Sequence, residues 1–191
     1  TANLNPWEEV HMDLIGPWRF KIGKHLFVLR ALTCIDPFTG LLEIIRVLNI
    51  TSAHIATKAN QSWFCRYPTP CFCTHDGGKQ FTAQEFQDTL RYYGVKSRCI
   101  TPWNPQGNSM IERVHLTMGS ILRSMVVEYQ QANRVIHPSD YDDFLDTAIA
   151  TCQRAIVSTA HTVTQLSPGQ FAFNRDMHLP VQCIANWDLI C

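Results

Sequence analysis

The apolar run at residues 25–35 limits the fold more than any other feature of this sequence. Its eleven residues (HLFVLRALTCI) contain one arginine and are typical of a strand buried on both faces. Residues 36–40 (DPFTG) then supply the aspartate, proline and glycine of a tight turn. Apolar and polar residues alternate at 7–15, where Gly16-Pro17 would end the strand, and residues 41–48 form another apolar segment. The sequence therefore predicts an antiparallel meander of three strands.

Helices and short strands alternate after the meander. The patterns predict helices at 51–65, 82–93, 108–128, from Ser139 or Asp140 onward, and from Ser167-Pro168 onward, with strands at 71–75 and 95–100. Thr82 and Glu85 have the spacing of a capping box, with Phe81 and Phe86 as a hydrophobic staple. This order predicts an α/β fold with a five-stranded mixed sheet flanked by helices.

Two of the predicted helices carry apolar residues at helical spacing, which indicates the face that each turns to the core. In the long helix the stripe is Ile111, Val114, Met118, Ile121, Leu122 and Met125, and in the next it is Leu145, Ile149, Cys152 and Ile156.

The composition allows a folded domain but does not by itself point to nucleic acid. Hydrophobic residues make up 46% and charged residues 17% of the chain, as in globular proteins. Sixteen basic and sixteen acidic residues give a net charge of zero, whereas nucleic-acid enzymes usually show a basic face. No apolar run approaches the length of a membrane span, so we expect no membrane partner. Because the chain opens on Thr1, we expect it to be a piece of a longer polypeptide.

The cysteines are expected to be reduced, because a chain of this size does not need a disulfide framework. Those with apolar neighbours are predicted to be buried, namely Cys34, Cys65, Cys99, Cys152 and Cys183. Cys71, Cys73 and His75 alternate along one predicted strand and would share a face. A zinc site there is the weaker interpretation, because a fourth ligand and the usual spacing are both missing.

Three acidic residues lie where an α/β enzyme gathers reactive groups. Asp13 is on the first strand, Asp76 follows the fourth, and Glu112 is early in the long helix. If the first and fourth strands are neighbours, Asp13 and Asp76 lie side by side and repel each other unless a cation is bound. Each acid also has a structural interpretation: an exposed edge-strand residue, a turn with Gly77-Gly78, and a capping box with Ser109.

Clustered carboxylates predict a particular chemistry. Hard oxygen ligands select Mg²⁺ or Mn²⁺. Two such ions about 3.5–4 Å apart activate an attacking oxygen and stabilise a leaving one in phosphoryl transfer. The expected reaction is attack on a phosphodiester by water or a DNA 3′-hydroxyl, with no covalent enzyme intermediate.

Three segments carry a resemblance to a known family. Residues 11–17 (HMDLIGP), 74–81 (THDGGKQF) and 104–113 (NPQGNSMIER) each contain one of the acids. They resemble the three blocks of retroviral and gypsy-type retrotransposon integrases. The interval between the second acid and the glutamate, residues 77–111, is 35 residues long, as in that family's signature. The likeness covers about residues 7–182.

The resemblance implies a ribonuclease H-like fold and DNA integration, by 3′-end processing and strand transfer of element DNA into target DNA. Asp13, Asp76 and Glu112 would be the catalytic, metal-binding triad, holding Mg²⁺ or Mn²⁺, with two ions when DNA is bound. The predicted DNA contacts are Asn104, Pro105, Gln106, Gly107 and Asn108 of the active-site loop, and Arg113, His115 and Arg123 of the long helix.

The resemblance also implies partners and an organisation. The partners are element DNA ends, target DNA and further copies of the chain, in a dimer or a larger homo-oligomer. Residues 1–130 would be the integrase catalytic core, 131–180 its helical continuation, and 181–191 the start of a connection to a further domain. We expect the protein in the nucleus and in intracellular virus-like particles.

Some features depart from the family or compete with its assignments. Family members often carry basic residues one and two turns after the glutamate, where this chain has Leu116 and Gly119. An inactive, domesticated module that binds DNA or protein is therefore an alternative, and ribonuclease H itself is a third. Asp36 competes for the role of first acid, but its turn sequence favours a structural role. His75 is expected to be a packed histidine beside Asp76.

Overall fold

The computed structural model describes residues 5–22, 24–100, 109–132, 137–162, 164–175 and 177. Its five strands are β1 (Glu9–Ile22), β2 (His25–Ile35), β3 (Leu42–Arg46), β4 (Phe72–His75) and β5 (Lys96–Cys99). They form one sheet in the order β3-β2-β1-β4-β5. The pairs β1/β2 and β2/β3 are antiparallel, while β1/β4 and β4/β5 are parallel. The predicted meander and the mixed sheet are both confirmed.

Six α-helices accompany the sheet in the described part of the chain. They are α1 (Ser52–Ala59), α2 (Lys79–Thr82), α3 (Gln84–Tyr92), α4 (Ser109–Gln131), α5 (Tyr141–Ser158) and α6 (Pro168–Phe173). A π-helical turn, Asn60–Phe64, prolongs α1, and a 3-10 turn, Pro138–Asp140, leads into α5. At the start of α6 the Ser167 hydroxyl accepts a hydrogen bond from Gln170 N at 3.1 Å, and the helix begins where it was predicted.

The helices divide between the two faces of the sheet. On one face, β1 and β2 pack against α4 and α5 through Ile111, Met118, Leu122, Leu145, Ile149 and Cys152. Ile156 lies at the margin of this cluster, as do Val114, Ile121 and Met125. On the other face, the core contains Val10, Met12, Leu32, Trp63, Phe86 and Leu90, which join β1 and β2 to α1 and α3. Both predicted stripes face the core.

The first strand is longer than the sequence suggested. β1 continues past Gly16-Pro17 to Ile22, and its register with β2 shifts between Ile15 and Trp18. Gly16 has φ +95°, a conformation that glycine adopts without strain. A bulge at this point accommodates Pro17, because a bulged residue is not required to donate to the ladder.

The predicted capping box is wrong, whereas the staple forms. Thr82 is the last residue of α2 and its hydroxyl hydrogen-bonds to Gly78 O. The cap of α3 is Ala83, which has no side-chain acceptor, and Phe86 N donates instead to Ser52 Oγ at 3.2 Å. The rings of Phe81 and Phe86 nevertheless meet edge to face, 5.1 Å between centroids.

The cysteine predictions hold for some positions and fail for others. Cys34 and Cys152 are buried and reduced, but Cys65 and Cys99 are exposed and reduced. Cys65 follows the π-helical turn and Cys99 ends the edge strand β5, so neither is covered by a helix. Cys183 lies outside the described residues.

Candidate active site

The parallel register of β1 with β4 brings two of the predicted acids together. Met12 pairs with His75, and Asp13 and Asp76 are the next residues of the two strands. Neighbouring strands are about 4.8 Å apart, so Asp13 and Asp76 occupy adjacent positions at the point where β4 ends and β1 continues. Asp76 is exposed and Asp13 is half-buried.

Backbone N–H groups orient both carboxylates. Leu14 N donates to Asp13 Oδ1 at 2.8 Å, and Gly78 N donates to Asp76 Oδ1 at 3.1 Å. A Cβ at Gly78 would lie 2.3 Å from Gln80 Nε2 and 2.9 Å from that oxygen, so a larger residue would require both side chains to move. The turn at residues 76–78 therefore orients the side chain of the candidate ligand Asp76.

Helix α4 is attached to the sheet beside Asp13. The Thr33 hydroxyl donates to Asp13 O at 3.1 Å and is hydrogen-bonded to His115 Nε2 at 3.2 Å. Glu112 lies one turn before His115, in the first turn of α4, and is exposed. This contact brings the first turns of α4 next to Asp13 on β1.

His115 is not placed as a cation for DNA. Burial lowers the pKa of its imidazole to about 4, so the ring is neutral at pH 7. A neutral ring that is hydrogen-bonded to Thr33 positions α4 and offers no positive charge to a phosphate. Its assignment as a DNA contact gains no support from this geometry. Arg113 and Arg123 are exposed on the same helix.

The convergence of all three acids stays a prediction. Within the described residues, no three His, Cys, Asp or Glu side chains are gathered into a group that could hold a metal ion. Two of the acids are adjacent through the sheet register, and Glu112 is on the helix that His115 joins to Thr33. The donor set itself, all carboxylate oxygens, fits Mg²⁺ or Mn²⁺.

Several predicted site residues lie outside the described part of the chain. The loop residues Asn104, Pro105, Gln106, Gly107 and Asn108 belong to this group. The side chain of Ser109 does too, so its capping box with Glu112 stays untested. No helix of the described chain is long and apolar enough to cross a bilayer.

Asp36 has the structural role that its turn sequence indicated. It is fully buried, and its carboxylate accepts hydrogen bonds from Trp7 N, Phe38 N and the Thr39 hydroxyl, the last at 2.8 Å. These bonds close the turn between β2 and β3. Asp36 follows Ile35, which pairs with His11, two positions before Asp13 on β1.

His75 is a packed histidine. Its ring stacks on Phe81 with centroids 5.3 Å apart, and Nε2 is hydrogen-bonded to the Ser97 hydroxyl at 2.8 Å. Cys73 is buried on the same face, and burial raises the pKa of its thiol well above the ordinary range. Cys71, by contrast, is exposed. The three residues thus occupy different environments.

A buried polar network next to the candidate site was missed at the sequence level. Glu9 is 7% exposed, yet its carboxylate binds His11 Nε2 at 3.1 Å, the Thr74 hydroxyl, and Arg98 at 3.5 Å. The guanidinium of Arg98 also lies over the Phe72 ring, 3.3 Å from its centroid. Glu9, His11 and Asp13 are two residues apart along β1, so they share a face of the strand. This spacing is the sequence pattern that could have indicated the network.

The chain is similar to several curated proteins. No family model matches the chain. It is 26% identical over 181 residues to the gypsy retrotransposon integrase-like protein 1 of Bos taurus, covering 92% of this chain and 32% of the relative. It is 35% identical over 98 residues to the Pol polyprotein of caprine arthritis encephalitis virus (strain Cork), covering 51% of this chain and 9% of that protein. Over most of its length the chain is similar to gypsy integrase-like proteins, and over about half of it to a retroviral Pol polyprotein.

The chain spans about a third of the length of the gypsy integrase-like proteins that it matches. Its fold matches the magnesium complex of the HTLV-2 integrase catalytic core domain, with a TM-score of 0.67 and 17% identity, covering 88% of this chain and 98% of that one. A chain of the simian T-cell lymphotropic virus intasome in complex with PP2A regulatory subunit B56 gamma gives 0.72 and 17%, covering 94% and 59%. The mixed sheet and its helices are therefore a ribonuclease H-like fold.

Proposed function

We propose that this chain is the catalytic core of an integrase that trims the ends of element DNA and joins them to target DNA. The observation that carries the proposal is the parallel register of β1 with β4, which makes Asp13 and Asp76 neighbours. The homology to integrases supports the same reaction class. Ribonuclease H activity is less favoured, because the homologues are integrases and Pol polyproteins.

The proposed metal ligands are Asp13, Asp76 and Glu112, with Mg²⁺ or Mn²⁺ and two ions when DNA is bound. Bound ions would activate the attacking oxygen and neutralise charge on the leaving one. The chain's own contribution is orientation. Leu14 N and Gly78 N hold one oxygen of each aspartate, and the bond between His115 and Thr33 fixes α4 against β2, next to Asp13. The magnesium complex of the HTLV-2 core supports this choice of metal.

The proposed partners follow from the same assignment. They are element DNA ends, target DNA and further copies of the chain, in a dimer or a larger assembly. Dimeric and trimeric forms of the HTLV-2 core and the simian virus intasome support this proposal. Integration into host DNA would take place in the nucleus, after assembly in intracellular virus-like particles.

The proposal is tested by strand transfer with Mg²⁺ in the full-length protein. Glu112→Gln keeps the size of the side chain and removes its charge. We expect at least a roughly hundred-fold loss of activity, because removing even an indirect metal contact costs about 10–100-fold. Glu128→Gln is the matched control, an exposed acid on the same helix, and it should retain activity. Full activity of Glu112→Gln would refute the assignment.

The second candidate, an inactive module that binds DNA or protein, has one observation in its favour. Leu116 and Gly119 stand where family members often carry cations, and Leu116 is 73% exposed. If the wild-type protein binds DNA but shows no heat of Mg²⁺ binding and no strand transfer, this second function is the correct one.

A further inference from the structure

His75, the residue directly before the candidate ligand Asp76, uses both of its ring nitrogens. It is the last residue of β4 and is 2% exposed. Nδ1 is hydrogen-bonded to the backbone oxygen of Asp76 at 2.5 Å, and Nε2 to the Ser97 hydroxyl at 2.8 Å. Gln87 Nε2 donates to the Ser97 hydroxyl at 3.1 Å and to Phe81 O at 2.8 Å. A chain of hydrogen bonds therefore runs from α3 across β5 to the backbone of Asp76.

The carbonyl groups at the two ends of this chain fix the direction of its hydrogen bonds. A carbonyl oxygen only accepts, so Gln87 turns its amide nitrogen, which has two hydrogens, to Phe81 O and to Ser97. The one hydrogen of the Ser97 hydroxyl is then left for His75 Nε2. The ring hydrogen is therefore on Nδ1 and is donated to Asp76 O, which also only accepts. Both ends of the chain require the same tautomer.

The bond from His75 holds a turn that the backbone alone leaves loosely defined. The carbonyl of Asp76 belongs to the peptide that joins it to Gly77, and Gly78 follows. Glycine allows the widest range of backbone dihedrals, so two in succession restrict the direction of Asp76 very little. His75 fixes the carbonyl and Gly78 N fixes the carboxylate at Oδ1. Asp76 is thus held through its backbone and its side chain, although it is exposed.

Packing alone does not explain a histidine at this position. The ring stacks on Phe81 and meets Phe86 edge to face, with centroids 6.0 Å apart, and a phenylalanine could make the same ring contacts. Burying polar ring nitrogens costs free energy unless they are hydrogen-bonded. The bonds to Asp76 and Ser97 are therefore what distinguishes histidine from phenylalanine here.

We infer that His75 is a positioning residue for the candidate metal ligand Asp76, and that Gln87 and Ser97 select the tautomer in which it acts. This inference rests on the proposed function and deepens it, because it adds residues that act on a ligand through its backbone. A carboxylate that is already fixed loses less conformational freedom when a cation binds, so the hydrogen-bond chain should raise the affinity for the metal.

The first measurement is the affinity of the full chain for Mn²⁺ by calorimetry, without DNA. His75→Phe keeps the ring contacts and removes both hydrogen bonds, and it should weaken Mn²⁺ binding about ten-fold or more, as loss of a hydrogen-bonded partner behind a ligand does. Ser97→Ala should give a smaller loss in the same direction, and Ser97→Thr, which returns the hydroxyl, should return the affinity. Unfolding in urea checks the fold of each variant. Because Ser97 is exposed, its variants decide the test even if His75→Phe does not fold.

The second measurement is the tautomer of His75 in the same chain without metal. Isotope-labelled histidine in nuclear magnetic resonance spectra shows which nitrogen carries the hydrogen, and the signal that His75→Phe lacks identifies this ring. We expect the hydrogen on Nδ1 in the wild type and in Ser97→Thr, and a mixture of tautomers in Ser97→Ala. Thr57→Ala is the matched control, because it removes an exposed hydroxyl whose bond, to Ala53 O, lies within α1. It should change neither measurement.

Three results would overturn the inference. One is equal Mn²⁺ affinity of the wild type, His75→Phe and Ser97→Ala. Another is a hydrogen on Nε2 of the wild-type ring. The third is a loss of affinity in Ser97→Ala that Ser97→Thr does not reverse, which would show a general effect on β5 instead of an effect of the hydroxyl.

The variant Asp76→Asn separates this inference from the proposed function. If the wild type and Asp76→Asn do not differ in Mn²⁺ binding, the metal site itself is misassigned, and the positioning role is removed with it. If Asp76→Asn abolishes binding while His75→Phe and Ser97→Ala bind as the wild type does, the metal site stands and only the positioning role is wrong.

Discussion

The face of β1 that carries Asp13 also carries Glu9 and His11. Burying a carboxylate is costly unless hydrogen bonds or an opposite charge compensate it. Glu9 is hydrogen-bonded to His11 and Thr74, and Arg98 supplies an opposite charge. Because Arg98 is half-exposed, solvent screens part of this ion pair. The candidate metal ligand Asp13 therefore continues a polar face of β1 that Glu9 and His11 hold in place. This limits how far Asp13 can move when a cation binds.

His115 provides a prediction of pH dependence. Its pKa is about 4 in the folded chain and near 6.5 when unfolded, so between these values the unfolded state binds the extra proton. Stability should therefore fall as the pH decreases from about 6.5 to 4. In His115→Gln the side chain stays neutral and can still bond to Thr33. Over this pH range the variant should therefore lose less unfolding free energy than the wild type, by on the order of 1–2 kcal/mol given the ring's partial exposure.

The measurement is the free energy of unfolding in urea at pH 7 and at pH 4. His137→Gln, at an exposed position, is the control and should follow the wild type. Identical pH slopes for His115→Gln and the wild type would show that the imidazole titrates normally.

At this scale the sequence identifies some site residues and misses others for a physical reason. Asp13, Asp76 and Asp36 stand out because each adjoins a strand end or a turn, which sequence patterns reveal. The Glu9 network joins β1, β4 and β5, residues far apart along the chain, and only the sheet register makes them neighbours. The contact of His115 with Thr33 was not foreseen, because helical position alone does not tell whether a ring reaches the sheet or solvent.

Among the elements, β1 shows how one residue changes the course of a strand. A Cβ at Gly16 would lie 2.4 Å from Leu29 O, in the neighbouring strand β2. The positive φ and this close approach together allow the bulge, after which β1 continues through Trp18 and Phe20 to Ile22. A turn signal in the sequence was therefore a bulge inside a strand.

Gly16→Ala should destabilise the fold by about 3 kcal/mol or more. It combines the strain of a left-handed alanine, about 1–2 kcal/mol, with a backbone clash that requires β1 and β2 to separate. Gly94→Ala isolates the first contribution, since Gly94 has φ +70° and no atom within 4 Å of its would-be Cβ. Thermal unfolding of both variants measures the difference, and equal losses would show that the clash at Gly16 is relieved at no cost.

The predictions of helices and strands are right for long elements with a regular apolar pattern, and wrong at the boundary between two short helices. The eleven-residue β2 matches its expected bounds, and the stripes of α4 and α5 face the core as expected. The α2–α3 boundary was misplaced because Thr82 completes a four-residue helix held by Phe81, and one buried phenylalanine outweighs a capping preference worth about 1 kcal/mol.

The whole molecule consists of one sheet with a separate hydrophobic cluster on each face. The strands β1 and β2 contribute to both clusters, Ile15 and Leu29 to the face of α4 and α5, Val10 and Leu32 to that of α1 and α3. The clusters therefore share their backbone, and loss of packing on one face loosens the strands that support the other.

This shared sheet predicts that the two faces unfold together. Met118→Ala on α4 and Phe86→Ala on α3 each remove a fully buried side chain, from opposite clusters, and should cost about 2–5 kcal/mol. Leu116→Ala, at an exposed position of α4, should cost less than about 0.5 kcal/mol. In both core variants, near- and far-ultraviolet circular dichroism should report one coincident transition, shifted to lower temperature. If Phe86→Ala instead produced two transitions, with the face of α4 and α5 melting at its original temperature, the clusters would be independent units and α4 would hold the candidate site without support from α1 and α3.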